Sequence, residues 1–217
     1  VNERIKSGAA TRQRILVASL LLFNEQGEPR TTTNAIANEV DISPGNLHYH
    51  FHRKSDLVDA LLAEFRVDAR RVLQPSESNQ ASLENFWMFL YLLLELTAAY
   101  RFLFRDMESL TVEYPKVGKA MQHFAKGLAA AFEFHLQTLA DGRILVPGSE
   151  EMHVIARDLA VIALFSQRFD ALIDTSSAAD VSSLRIARSI FNVLKPFVAE
   201  GAAEHLDELA SHYEASG

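Results

Sequence analysis

The sequence contains no cysteine. That absence alone excludes disulfides, thiolate zinc sites and a cysteine nucleophile. The longest apolar run, residues 86–94, has nine residues, half of the roughly 18 needed to cross a bilayer. The first fourteen residues are polar and basic, so no secretory signal is expected. Strand-like alternation of useful length is missing, and so is any internal repeat. There is no Gly-rich phosphate loop, and a Ser-His-Asp set cannot be assembled from spacing. Neither a cofactor nor a membrane is expected as a partner. Basic charge is short as well: 21 Lys+Arg stand against 28 Asp+Glu, a net charge of −7. As a sum, that counts against nucleic acid. What remains is a 217-residue chain, 48% hydrophobic and 23% charged, with globular composition, length for a sizeable core and an expected cytoplasmic location.

The average conceals a split. Residues 1–54 hold seven basic and five acidic side chains, a net +2, and the rest of the chain carries −9. Three of the eight histidines, His48, His50 and His52, also fall in the first part. Such a division suggests a small module at 1–54 that meets an anion and a larger one at 55–217 that does not.

Helical signals run almost throughout, so the fold class is all-α. Between Thr11 and Gln26 the residues Ile15, Ala18, Leu22 and Phe23 share a face, and Gly27 stops the run. Thr31, Thr32 or Thr33 can cap a short helix carrying Ile36, Ala37 and Val40, and Asp41-Ile42-Ser43 breaks it. Ser43 can cap a third helix with Pro44 in its first turn, running to about Phe51. Ser55 is expected to cap a fourth. Residues 74–80 read as a loop, and the apolar run 86–94 as a helix buried on every side. Later helices are expected at 101–110, 115–139, 150–174, 182–198 and 202–213, with breaks at 141–142, 147–149 and 175–180.

Two short helices joined by three residues have the geometry of a helix-turn-helix, whose second helix enters the major groove. Gly45 permits close backbone approach. Asn46, His48, Tyr49 and His50 supply hydrogen-bond donors, and Lys54 a point charge for phosphate. Leu47 and Phe51, four apart, form the inward stripe against Ile36, Val40 and Leu22.

The stretch TRQRILVASLLLFNEQG…TTTNAIANEVDISPGNLHYHFHRKSDLVDAL resembles the N-terminal domain of the TetR family of bacterial transcriptional regulators. The segment from Ser43 to Phe51, followed by Lys54 to Leu57, carries the resemblance most specifically. It implies that Pro44 and Gly45 lie nearest the bases and that Asn34 sits where a base-contacting side chain is frequent. Thr33, Asn46, His48, Tyr49, His50 and Lys54 match positions that hold the phosphodiester backbone. Three departures stand out. His48 replaces the usual Tyr, which makes that contact pH-sensitive. Asn34 is neutral where a guanine-reading Arg is common. Asp41 takes a turn position where Gly is common, and Asp tolerates positive φ better than most residues.

The resemblance further implies that the remainder binds a small-molecule effector and dimerises. Periodicity supports the second point. On 150–174, Ile155, Leu159, Ile162, Phe169 and Ile173 make one stripe, with Val154, Val161, Phe165 and Leu172 beside it. On 182–198, Ile186, Ile190, Val193 and Phe197 flank Leu184, Ala187, Phe191, Leu194 and Val198. Faces this wide suit a four-helix interface, with Ile162, Phe165, Phe169, Ile190, Phe191 and Leu194 at its centre. Trp87, Tyr91, Glu95, Tyr100, Arg105 and His123 are polar or amphipathic groups on apolar helices and are candidates to orient an effector. The helix at 55–72 is continuous with the DNA-binding module, so a ligand-driven shift of it would alter operator binding.

The expected function is a homodimeric repressor of a pseudo-palindromic double-stranded operator, released by an effector. The competing readings are an all-helical small-molecule-binding enzyme and a protein-binding adaptor. His48 and His52 sit at a spacing compatible with zinc, but no third ligand shares their face, and no metal is expected.

Overall fold

A computed structural model describes residues 2–74, 81–146, 148–173 and 179–212. The loop expected at 74–80 lies outside the described residues beyond Gln74, as does most of the break at 175–180. The described residues form α1 (Asn2–Gln26), α2 (Thr33–Glu39), α3 (Pro44–His50), α4 (Lys54–Leu73), α5 (Leu83–Ala99) and α6 (Arg101–Arg105). They continue as α7 (Met107–Glu113), α8 (Pro115–Asp141), α9 (Ser149–Ile173), α10 (Ala179–Leu194) and α11 (Ala203–His212). The fold is all-α. Among the described residues the only extended pairing is a single bridge between Leu145 and Val198.

The chain divides into two units. The first comprises residues 1–68 and 99–121, the second residues 69–98 and 122–217. The boundary expected at 54/55 therefore falls inside the first unit. The reason is packing: α6, α7 and the start of α8 return to complete the core that α1 to α4 begin. Phe102 is fully buried with its ring 5.4 Å from that of Phe23, and Phe65 meets Tyr100 and Phe104 edge-on. Ile15, Leu16, Ile36, Leu47, Phe51, Leu57 and Leu61 fill the rest of this core.

In the second unit, Phe86 and Phe89 of α5 meet Phe132 of α8, and Phe191 of α10 closes on Phe86. α9 packs along α10. Two expectations are corrected here. The 86–94 run is not enclosed on every side, because Met88, Tyr91 and Leu92 lie on an exposed face of α5. Ile190, Phe191 and Leu194 are 0, 2 and 1% exposed, so they belong to the protomer's own core rather than to a surface.

His135 of α8 is a half-buried group that was not singled out from the sequence. Its ring stacks on Phe89 at 4.3 Å, with Phe86 and Phe134 edge-on. Burial lowers its pKa from 6.5 to about 4, so the folded protein holds it neutral. The unfolded chain takes up a proton near pH 6.5 that the folded chain refuses until about pH 4. Stability is therefore expected to fall as pH drops through this window, by of order 2 kcal/mol allowing for partial exposure of the ring. Thermal melts from pH 7.5 downward check this, and His135→Phe should flatten the dependence.

Candidate nucleic-acid interface

Local chemistry sets the two short helices. Thr32 is the N-cap of α2, its hydroxyl accepting from the Ala35 N–H at 3.1 Å. Ser43 caps α3 by accepting from the Asn46 N–H at 3.2 Å, with Pro44 in the first turn. Between them Asp41 adopts φ 55°, the left-handed conformation its short polar side chain tolerates. Arg14 of α1 donates to the Val40 carbonyl at 2.7 Å, which ties α2's last turn to α1. α4 starts at Lys54, so Ser55 is its second residue rather than the expected N-cap. Asp56 reaches back to the Arg53 N–H at 3.0 Å, so the carboxylate satisfies that N–H at the helix start.

Leu47 and Phe51 are buried beneath α3, and Arg12 lies over the Phe51 ring at 4.7 Å. This inward anchoring turns the other face outward. Asn34, Pro44, Gly45, Asn46, His48 and Tyr49 are exposed, with Tyr49 at 79%, and Thr33 and His50 are half-buried. The structure thus places six of the nine expected DNA-facing residues on the exposed parts of α2 and α3, with Thr33 and His50 half-buried on the same helices. His48 and His52 stand 5.2 Å apart edge-to-face. No group of three or more metal-ligating side chains occurs among the described residues.

Lys54 differs from expectation. Its ammonium donates to the Glu28 carbonyl at 2.6 Å and pairs with the Glu28 carboxylate at 3.0 Å. It also lies 6.0 Å from the centre of the Phe23 ring. The Glu28 side chain is only 5% exposed and that of Lys54 25%, so this is an internal pair rather than a free surface cation. Pulling the lysine out to a phosphate would strand a buried carboxylate, a change that costs of order 3–5 kcal/mol.

Glu28 is also held by Tyr114, whose hydroxyl donates to the same carboxylate at 2.7 Å. Burial, reinforced by this bond, pushes the Tyr114 phenol above its ordinary range, so it remains a donor. The Glu28 N–H donates to Asp106 at 3.0 Å. Arg105 donates to the carbonyls of Phe23 and Asn24 at 2.7 and 2.8 Å and pairs with Asp106, capping the C-terminus of α1. Asn24 completes the seam, bonding the Ala99 carbonyl and the Phe102 N–H at 2.8 and 3.0 Å. The helix expected at 101–110 breaks at Asp106, where Arg105 and Asp106 both engage the α1 end.

Gly27 sits at the centre of this seam with φ +95°. A Cβ there would meet Asp106 Oδ2 at 3.3 Å and Arg105 Nη2 at 3.4 Å. Gly27→Ala is expected to cost about 2 kcal/mol in backbone strain and displaced ion pair, read as a lowered Tm.

The six residues expected to hold an effector are divided between the two units. Arg105 caps α1, and Tyr100 is buried with its hydroxyl on Asp68 at 2.8 Å; both belong to the first unit. In the second unit Glu95 and His123 are exposed, and Trp87 stacks on the partly exposed Tyr91 at 5.6 Å. Glu28, Asp106 and Tyr114 were missed. Their partners lie about 80 residues away, and no local spacing signals them. His135 did carry a signal, since it falls on the apolar stripe of Phe124, Leu128, Ala131 and Leu139.

Residues 15–61 match the bacterial regulatory proteins of the tetR family, and residues 64–206 match a family described as bacterial transcriptional repressors. A TetR-family regulator from Marinobacter aquaeolei VT8 superposes with a TM-score of 0.83 at 27% identity, covering 93% of this chain and 98% of that one. CprB from Streptomyces coelicolor, solved with its biological operator sequence, gives 0.70 at 19% identity over 97% of this chain and 99% of its own. A probable HTH-type regulator of Bacillus subtilis, YttP, is 29% identical over 70 residues, 32% of this chain. That match spans about a third of the relative's own length, 34%. No described helix is long and apolar enough to cross a membrane. With a capped helix-turn-helix at its N-terminal end and family matches over residues 15–61 and 64–206, the chain belongs to the TetR family of DNA-binding transcriptional regulators.

Proposed function

We propose that the protein is a homodimeric, effector-released repressor that acts in the cytoplasm on a pseudo-palindromic operator. The observation that carries this reading is the outward face of α3. Asn46, His48 and Tyr49 are held there by a buried Leu47–Phe51 stripe, alongside Asn34 of α2. Residues 1–54 carry +2 within a chain of −7. Non-specific affinity should therefore be weak, with groove geometry and hydrogen bonding supplying much of the binding.

Dimerisation is supported by α9. Val154, Val161, Phe165, Phe169, Leu172 and Ile173 are exposed along it, with Phe169 at 63% and Leu172 at 84%. An apolar ridge of this length is what a self-complementary interface covers. Of the residues expected at that interface, Ile162, Phe165 and Phe169 remain assigned to it, and those of α10 do not.

The effector belongs to the second unit, where Trp87, the only tryptophan, reports its environment. A ligand bound there acts on the operator only through a difference in affinity between two states of the protein. A reporter driven through a selected operator should fall in activity when the protein is present, and a rise would contradict repression. Compounds from an apolar panel that change Trp87 fluorescence should weaken operator binding. Fluorescence change with unaltered operator affinity would contradict release.

A further inference from the structure

We propose that Lys54 and Tyr114 are positioning residues for the recognition helix, acting on DNA only through the buried carboxylate of Glu28. This rests on the DNA-binding reading and deepens it. The turn holding Glu28 lies between α1 and α2, Lys54 opens α4 just beyond α3, and Tyr114 closes α7. One buried side chain therefore joins the chain entering the helix-turn-helix, the chain leaving it, and the 106–114 segment. The lysine ammonium spends two of its three donors on Glu28, one on the carbonyl at 2.6 Å and one on the carboxylate at 3.0 Å. Tyr114 donates at 2.7 Å to Oε1 of that carboxylate, the same oxygen that the lysine pairs with. The Glu28 N–H bond to Asp106, itself paired with Arg105, fixes the turn's backbone as well.

A lysine held this way does not contribute to counterion release, because its charge is matched inside the protein. Its loss should tilt α3 rather than remove a phosphate contact. Those two effects have different signatures. A lost phosphate contact weakens binding to all sequences alike and lowers the salt slope by about one unit. A misplaced recognition helix loses base readout, so operator affinity falls while non-specific affinity and the salt slope stay.

The test uses full-length Lys54→Gln, Glu28→Gln and Tyr114→Phe. Each is titrated against a duplex selected by the wild-type protein and against a scrambled duplex, between about 50 and 200 mM salt. Circular dichroism melts confirm that each variant is folded at the assay temperature, and Tyr114→Phe, a near-isosteric change, serves where the charge variants are not. We expect each variant to lower operator affinity by roughly tenfold. We also expect little change on the scrambled duplex, an unchanged slope, and a Lys54→Gln/Glu28→Gln double variant no worse than the poorer single. A Lys54→Gln loss that is uniform across sequences with a slope lower by about one would overturn the proposal. Full operator affinity in Tyr114→Phe or Glu28→Gln would overturn it too. Failure of the wild-type protein to bind any duplex would remove the DNA-binding reading itself, and the inference with it.

Discussion

Phe169→Asp is expected to split the proposed dimer and weaken operator binding by about 10²–10⁴-fold. Phe169 lies within the exposed apolar ridge of α9, between Phe165 and the Leu172–Ile173 pair. Covered by a partner copy, a carboxylate at this position would lose water without gaining a counterion. Each protomer would still fold, because Phe169 is 63% exposed and adds little to the protomer's own core. The operator would lose its second half-site contact, and with it the effective concentration that linkage supplies, typically about 10²–10⁴. Sedimentation velocity should show a monomer with an unchanged melting profile. Phe191→Leu is the contrast: Phe191 packs on Phe86 inside the protomer, so it should lower Tm and leave the association constant alone.

Phe102→Ala is the second large effect, at about 3–5 kcal/mol of folding stability. Domains of this size hold on the order of 5–15 kcal/mol in total, so the loss is a substantial part of the whole. The ring is fully buried against Phe23, and its own backbone N–H is fixed by Asn24, so the cavity has little means of collapsing. Because Phe102 belongs to the first unit, the loss should appear first in the helix-turn-helix. Amide exchange should speed in α1 to α3 before it does in α9 and α10. Faster exchange confined to the second unit would show that the 99–121 segment does not complete the first.

Residues whose roles are set by near neighbours were legible in the sequence. Ser43, Pro44, Leu47 and Phe51 define a capped helix and its inward face from spacing alone, and Asp41 was readable as a left-handed turn residue. The seam of Asn24, Gly27, Glu28, Arg105, Asp106 and Tyr114 was not, because its pairs join segments about 80 residues apart. Arg105 and Tyr100 look like ligand groups when only the apolar helix around them is visible. Their actual partners are the α1 carbonyls and Asp68. Lys54 is a subtler case. Its spacing relative to α3 suits a phosphate, and only the buried carboxylate beside it turns it inward.

The helices α9 and α10 show the same limit from another side. Both have wide apolar faces, and periodicity cannot say whether a given stripe meets the same chain or another one. The structure spends the α10 stripe of Ile186, Ile190 and Leu194 on the protomer and leaves the α9 ridge uncovered. Likewise Met88, Tyr91 and Leu92 sit in an unbroken apolar run, yet face outward.

The proposed function requires paired recognition helices to read a two-fold operator through the outward face of α3. Selection of duplexes from a random pool by the purified full-length protein, at fixed salt, tests it most directly. The expected result is an enriched consensus made of two inverted half-sites with centres about one helical turn, ~34 Å, or a multiple of it apart. Tyr49→Ala is expected to abolish the enrichment while the protein stays folded. An enriched site without two-fold symmetry, or no enrichment at all, would contradict it.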